Sequence, residues 1–212
     1  MEIIDITPAI NPRLAVFPGD TPFSEEFVMS TDQGQHLTLS KITTTVHLGA
    51  HTDAPNHYAP RSEGIATRSL DFYLGKAQVI EVSVARGARL QIADLKGKAI
   101  QAPRVLFKTK SFPNPYTWNG DFNSLSASLV NYLHEKGVRL VGIDTPSIDP
   151  ETDQTLESHL AVHSHDMAIL EGIVLDKAPE GIYELIALPL KIEGADASPV
   201  RAILRTYAET RS

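Results

Sequence analysis

The sequence predicts a mixed α/β or α+β protein with many strands, few helices and a mixed-sheet or barrel-like core. Short runs of β-branched and apolar residues alternate with turn-forming residues, as is typical of strands. Only two segments have a helical pattern. The 212 residues are 42% hydrophobic and 21% charged and contain no repeat or Gly/Ser-rich linker. We therefore expect one domain over residues 1–212 that buries a core without covalent staples.

The predicted elements follow from local patterns. After a short strand near residues 3–6, the rest of residues 1–30 is expected to be an irregular arm, because prolines interrupt it at 8, 12, 18 and 22. Dense β-branched side chains predict a strand over 37–46. Further strands are predicted at 77–84, 104–109, 138–144, 172–176, 183–190 and 201–207. One helix is indicated by the apolar positions 125, 129, 130 and 133, which end before Gly137, and a second over 155–166.

The bulk composition excludes several classes of function. The formal net charge is −7, and the chain has no basic cluster that would serve nucleic acid or an anionic membrane. Cysteine is absent, so disulfides and thiolate nucleophiles are excluded and a metal must be held by nitrogen and oxygen. No run approaches the roughly 20 apolar residues of a membrane span, and residues 1–6 lack a secretory pattern. We expect a cytoplasmic enzyme.

Four metal-capable side chains stand within eleven residues: His47, His51, Asp53 and His57. Imidazole and carboxylate are the ligands that zinc and other first-row divalent ions accept, so this density predicts a metal site. A fully extended chain of this length would span roughly 33 Å, which means that the groups meet only if the chain bends.

The residues between these groups allow such bends. Gly49 can adopt backbone angles closed to other residues, and the ring of Pro55 fixes its own φ. The four groups also share one parity, so that in a locally extended stretch His51 and Asp53 point to the same side. Because the chain is large enough to fold without a metal, the metal is expected to be catalytic.

The second concentration of histidines lies within residues 157–171. On a helix His159 and His163 share a face, whereas His165 points elsewhere, so periodicity leaves His159 and His163 equally plausible as ligands. The candidate carboxylates are Glu157, Asp166 and Glu171. The apolar run 167–170 would carry Glu171 into the core, where a carboxylate needs a cation.

The other candidates are weaker. His36 and His134 are interpreted as surface residues, since His134 is next to charged residues near the end of a predicted helix. Asp20 follows a turn-forming Pro-Gly pair. Asp144, after an apolar strand, can either orient a ligand or cap a turn, and the sequence does not decide between these roles.

The run from His47 to His57 carries a family motif. It reads His-x-Gly-Ala-His-x-Asp-x-Pro-x-His and resembles the pattern His-x-Gly-Thr-His-x-Asp-x-Pro-x-His of the cyclase-like metal-dependent hydrolases, with Ala50 in place of threonine. The segments 16–23, 142–147, 167–171 and 194–202 resemble the kynurenine formamidase, or arylformamidase, branch in particular. The resemblance extends over nearly the whole chain.

The resemblance implies a role for each matching residue. It implies two zinc ions per subunit, or manganese or another divalent ion. His47, His51 and Asp53 would bind the first and His159 would help to bind the second, with Asp53 and Glu171 as bridges. His57 matches the proton donor and acceptor. Phe17 matches a substrate-binding position that is commonly tryptophan, whereas His163 and His165 match no required position.

The resemblance also implies a fold, an assembly and a reaction. The fold would be the cyclase-like swivelling β/β/α domain, and the assembly a homodimer. The reaction would be hydrolysis of N-formyl-L-kynurenine to L-kynurenine and formate in tryptophan degradation. Hydrolysis of isatin or another small cyclic amide is the alternative within the family, and a non-enzymatic metal-dependent binding protein the alternative outside it. A serine-hydrolase formamidase is disfavoured because no Gly-x-Ser-x-Gly elbow is present.

Overall fold

A computed structural model describes residues 1–207, which contain thirteen strands and two α-helices. The strands are β1 (Ile3–Asp5), β2 (Ser24–Met29), β3 (Leu39–Thr43), β4 (His51–Asp53), β5 (Leu74–Glu81), β6 (Arg89–Leu90), β7 (Arg104–Lys108), β8 (Ser124–Leu125), β9 (Leu140–Ile143), β10 (Ala168–Leu170), β11 (Gly181–Ile186), β12 (Ala197–Pro199) and β13 (Ile203–Arg205). The helices are α1 (Ala127–Glu135) and α2 (Glu157–Ser164).

Seven strands form one mixed sheet in the order β1-β13-β11-β5-β7-β9-β10. The half from β1 to β5 is antiparallel, and the half from β5 to β10 is parallel. Parallel neighbours need crossovers, and the segment between β9 and β10 crosses over through α2. The predicted fold class, a mixed sheet with few helices, is confirmed.

The two helices cover one face of this sheet. Leu129, Val130 and Leu133 of α1 are buried in a cluster with Val105 and Phe107 of β7. The hydroxyl of Ser126 accepts a hydrogen bond from the Leu129 N–H at 3.2 Å and caps the start of α1. Neither helix, nor any other within residues 1–207, is long and apolar enough to cross a membrane.

The segment that carries the histidine cluster covers the other face. Val105 and Phe107 of β7 face the helices, so Leu106 between them points to the opposite face. There it belongs to a second buried cluster with Ala50, Ala54, Ile65 and Tyr73. Ala50, which replaces the threonine of the family motif, is only 2% exposed in this apolar cluster. The packing of these small and apolar side chains therefore fixes the histidine segment against the sheet.

Most predicted elements are confirmed within a few residues, but the predicted strand at 172–176 is wrong. The strand in this region, β10, ends at Leu170, and the chain turns at Gly172 with a φ of +63°. The Gly172 N–H donates to the carbonyl of Thr145 at 2.8 Å, and that of Val174 to Ile6. The apolar residues after Gly172 are buried as irregular chain, which their hydrophobicity alone does not distinguish from a strand.

The predicted irregular arm also contains a strand. Residues 24–29 form β2, which pairs with β3 in an antiparallel hairpin. Nearly all residues of both strands are exposed. Because neither face is buried, β2 needs no alternation of apolar and polar residues, which is the pattern that predicts a strand.

Candidate metal centre

The histidine segment bends at the two predicted residues. Gly49 has a φ of +57°, and an added Cβ would lie 3.1 Å from a methyl group of Leu14. After the short strand β4, Pro55 starts a 3-10 turn that ends at His57. The two bends return His47 and His57 to the same side as His51 and Asp53.

Backbone hydrogen bonds join this segment to the second candidate region. The His51 N–H donates to the Glu171 carbonyl at 3.1 Å, and the Glu171 N–H donates to the His51 carbonyl at 2.9 Å. An added Cβ on Gly172 would collide with the carbonyl of Gly49, so only glycine permits this approach. Two segments that are distant in sequence are therefore held together by main-chain contacts.

The first group of candidate ligands consists of His47, His51 and Asp53, with one ligand atom from each within 4.8 Å of the others. His47 Nδ1 lies 3.0 Å and His51 Nε2 3.4 Å from Asp53 Oδ1. Two imidazoles therefore converge on one oxygen of a residue that is only 2% exposed.

The second group consists of Asp53, His159 and Glu171, with ligand atoms at the same mutual separation of at most 4.8 Å. His159 Nε2 lies 3.5 Å from Asp53 Oδ2 and 3.7 Å from Glu171 Oε1. Glu171 Oε2 lies 3.2 Å from His51 Nε2 and so reaches the first group. Asp53 belongs to both groups, and the five residues form one continuous centre.

The donor set fits divalent cations. Both carboxylate oxygens of Asp53 are buried and lack a hydrogen-bond partner of acceptable geometry. A buried carboxylate without hydrogen bonds is costly unless a cation compensates it. Nitrogen and oxygen donors at this density suit zinc and other first-row ions.

Each of the three histidines is oriented through its other ring nitrogen. His51 Nδ1 lies 2.9 Å from the Gly49 carbonyl, and His159 Nδ1 lies 2.7 Å from Asp149 Oδ2. His47 Nε2 lies 3.0 Å from Asp196 Oδ2. Such contacts fix the ring orientation of metal ligands.

Sequence reasoning missed Asp149 and Asp196. Asp196 lies within the family segment 194–202, so that segment could have indicated it, whereas Asp149 follows the family segment 142–147 and has no pattern of its own. The Asp149 carboxylate also pairs with Arg89 at 2.5 Å.

Neighbouring carboxylates raise the pKa values of two histidines in the centre. Burial alone would lower the pKa of His47, but Asp53 and Asp196 outweigh it and raise this pKa to about 9. For His159 burial is likewise outweighed, by Asp149 and Asp53, which raise its pKa to about 10. Burial alone would raise the pKa of Asp53, but the facing imidazoles of His159 and His47 outweigh it and hold this pKa well below its usual range. The neighbouring carboxylates thus favour the protonated form of both imidazoles, and a metal ion that binds there competes with these protons.

His57 lies beside the two groups and is more exposed. Its Nδ1 is 3.3 Å from Asp196 Oδ2, its side chain is 36% exposed, and its ring centroid is 4.2 Å from that of His47. With His47 and Asp196 it forms a third group that could hold an ion, so the geometry alone permits His57 either as a ligand or as a proton carrier.

A cavity of about 500 Å³ opens onto the centre. Phe17 lines it, and its ring packs edge-on against Trp118 with centroids 5.1 Å apart. Phe112 also packs against Trp118, with ring centroids 5.7 Å apart. Trp118 was missed, although it is the only tryptophan of the chain and could have been singled out for that reason.

The remaining candidates lie outside the two groups. His163 is exposed, whereas His159 on the same helix is buried, so the structure separates the two residues that periodicity left equal. His165 stacks on His134 with ring centroids 4.0 Å apart. Glu157 and Asp166 are exposed as well. Asp144 caps a turn.

Asp144 caps the turn at residues 109–110 by accepting hydrogen bonds from the N–H groups of Thr109 and Lys110, at 2.9 Å each. Burial raises its pKa despite these bonds.

Comparison with known proteins gives consistent relationships. Residues 4–150 match the putative cyclase family. The chain is 45% identical to a kynurenine formamidase of Maricaulis maris (strain MCS10) over 95% of this chain and 96% of that protein.

Solved structures show the same fold. A potential metal-dependent hydrolase with cyclase activity superposes with a TM-score of 0.82 at 28% identity, covering 96% of both chains. Isatin hydrolase A from Labrenzia aggregata, solved with benzyl benzoate, superposes with a TM-score of 0.79 over 97% of this chain and 94% of that chain. Its identity is 20%, so this second likeness concerns the fold alone. The cyclase-like fold implied by the sequence resemblance is confirmed, and the chain belongs to the putative cyclase family.

Proposed function

We propose that this protein is a metal-dependent kynurenine formamidase that converts N-formyl-L-kynurenine and water to L-kynurenine and formate. The observation that carries a metal-dependent hydrolase is the buried Asp53 carboxylate, which two groups of ligands share and whose oxygens lack a hydrogen-bond partner of acceptable geometry. The relationship to the Maricaulis maris kynurenine formamidase, at 45% identity over 95% of this chain, supports the substrate. The reaction is proposed to take place in the cytoplasm, which cell fractionation would test.

The proposed cofactor is two zinc ions per subunit, with manganese or another divalent ion as a substitute. His47, His51 and Asp53 would hold one ion, and Asp53, His159 and Glu171 the other. Ions bound there would supply an acidified water as nucleophile and positive charge for the formyl oxygen. The outer contacts of the histidines support these assignments, because each leaves one ring nitrogen directed at Asp53 or Glu171.

His57 is proposed to carry protons. Asp196 engages its Nδ1, which leaves Nε2 for proton transfer in the cavity. The ring would take a proton from the attacking water and return it to the nitrogen of the arylamine, which leaves readily only when protonated. An imidazole suits this role because one ring nitrogen can accept a proton while the other is held by a hydrogen bond.

Phe17, Phe112 and Trp118 form an aromatic wall of the cavity, which is proposed to bind the aryl ring of the substrate. Phe17 stands at the position where the family commonly has tryptophan, and the indole of Trp118 packs against it. The wall thus keeps both an aromatic surface and an indole, but the indole is that of Trp118 rather than of a tryptophan at position 17.

We expect that removal of metal with a chelator abolishes formylkynurenine hydrolysis and that zinc or manganese restores it. The same reconstituted protein should turn over isatin at least about tenfold more slowly, because the cavity surroundings resemble the formamidase branch. Ultraviolet assays of both substrates on one preparation measure this. Faster turnover of isatin would identify an isatin hydrolase, and chelator-resistant hydrolysis would contradict the metal mechanism.

We further propose that the protein is a homodimer in which the β2-β3 hairpin contacts the partner. Phe27 and Ile42 are 63% and 60% exposed. Because Glu25 pairs with Ile42 and Phe27 with Ser40, these apolar side chains share one face of the hairpin. A two-stranded hairpin exposed on both faces is marginally stable alone, and exposed apolar patches mark interfaces.

The double variant Phe27→Glu, Ile42→Glu is expected to be monomeric, because two carboxylates cannot be buried unpaired in an apolar interface. Sedimentation velocity over a range of concentrations measures the mass. The matched control is Lys41→Gln, which removes a charge from the opposite face of the same hairpin. A variant that sediments like the unchanged protein would contradict the hairpin interface.

A further inference from the structure

The cavity next to the metal centre has an uneven charge distribution. Besides the candidate ligands and His57, the charged side chains that line it are all acidic, namely Asp20, Asp144, Glu151 and Asp153. Asp144 is engaged by the backbone of residues 109–110, and Asp153 is paired with Arg89. One oxygen of Asp20 accepts the Thr21 N–H at 2.7 Å. Glu151 is the carboxylate that directly contacts the aromatic wall.

Glu151 is held in this wall by two contacts. The indole Nε1 of Trp118 donates a hydrogen bond to its Oε2 at 2.9 Å. The carboxylate also lies against the backbone of Gly120, where an added Cβ would collide with it. Within residues 1–207, no lysine, arginine or histidine nitrogen lies within the 4.0 Å of an ion pair from this carboxylate. A half-buried, oriented carboxylate therefore faces the cavity with its charge uncompensated.

We propose that Glu151 binds the ammonium group of the substrate's amino-acid side chain. This inference rests on the proposed function, because formylkynurenine joins an aryl ring to a side chain that ends in an α-ammonium and an α-carboxylate. An oriented carboxylate without a cationic partner is a favourable environment for an ammonium ion, through a charge-assisted hydrogen bond. The ammonium would fix the orientation of the aryl ring on the wall.

The same arrangement makes Glu151 a specificity-determining residue. Isatin and simple formanilides have no ammonium group and would leave the Glu151 charge uncompensated. A site that is built to bind a charged group discriminates against analogues that lack it, because its own polar group is then left unpaired. Glu151 thus favours a substrate that carries an ammonium group over a neutral aryl amide.

Glu151→Gln tests this subsite. Glutamine keeps the size of the side chain and an oxygen that accepts the Trp118 N–H, but it removes the charge. Binding of the product L-kynurenine to the zinc-reconstituted protein is compared with binding of its analogue without the amino group, 4-(2-aminophenyl)-4-oxobutanoate. The fluorescence of Trp118, the only tryptophan, reports binding without any turnover. Glu135→Gln, an exposed carboxylate on α1 away from the cavity, is the matched control.

We expect Glu151→Gln to weaken L-kynurenine binding roughly ten- to hundredfold and to change binding of the deaminated analogue by no more than about twofold. The kcat/KM for formylkynurenine should fall by a similar factor. Equal weakening of both ligands would overturn the proposal, since Glu151 would then only hold Trp118. Unchanged binding of both ligands would overturn it as well.

The two proposals fail in different ways. If the unchanged protein selects L-kynurenine by charge but does not hydrolyse formylkynurenine, the proposed function is wrong and the ammonium subsite stands. If it hydrolyses formylkynurenine but Glu151→Gln does not discriminate between the two ligands, the subsite alone is wrong.

Discussion

Asp53→Ala is expected to empty both proposed metal positions and to lower kcat/KM for formylkynurenine by at least about a thousandfold. The reason is that Asp53 supplies an oxygen to each of the two ligand groups. Metal content by mass spectrometry and hydrolysis rate are measured on the same preparation. Loss of one ion alone would show that the second group holds its ion without Asp53.

Asp53→Asn separates charge from shape in this experiment. The amide fills the same space but offers a neutral oxygen, so metal binding should weaken although the fold is kept. Asp32→Asn, at an exposed position in the hairpin connection, serves as the control for the loss of one carboxylate. Circular dichroism confirms that each variant is folded before metal analysis.

His57→Ala is expected to retain both metal ions and to lose activity by roughly a factor of 100 to 10,000, the contribution of a positioned acid or base. The structure permits His57 as a ligand through its group with His47 and Asp196, so the metal content of this variant is the decisive measurement. Full metal content with low turnover supports the proton carrier. An empty site would instead make His57 a ligand.

Added imidazole offers a second readout. If His57 only carries protons, imidazole in solution should partly restore the turnover of His57→Ala. His163→Ala is the matched control, because His163 is exposed on α2 and belongs to neither ligand group. Its activity should equal that of the unchanged protein.

Much of the centre follows from local sequence because three of its five residues, together with His57, lie within eleven positions. Gly49 and Pro55 predict the bends, and the apolar run before Glu171 predicts that this residue is buried. Periodicity could not separate His159 from His163, since residues four apart share a helix face. The rotation of α2 on its neighbours turns Ser158, His159 and Val162 inward, and that rotation is set by packing distant in sequence.

The contacts that could not be predicted from the sequence are those between segments that are far apart in the chain. Asp196 is 149 residues from His47, and no local pattern records their contact. Asp149 is only ten residues from His159, but a loop and a helix turn separate them. The hairpin strand β2 was missed for a different reason, because a strand exposed on both faces leaves no hydrophobic alternation.

The sheet order has a consequence for how the protein is made. The amino-terminal strand β1 is hydrogen-bonded to β13, and β4 with its two ligands is hydrogen-bonded to β12. His51 and Asp53 are therefore synthesised long before their partner strand β12. Likewise, β1 can pair only after residues 203–205 have been synthesised. Such non-local pairing slows folding and exposes unpaired strands to other chains. The strand that carries His51 and Asp53 therefore gains its hydrogen-bonded neighbour only after residues 197–199 have been synthesised.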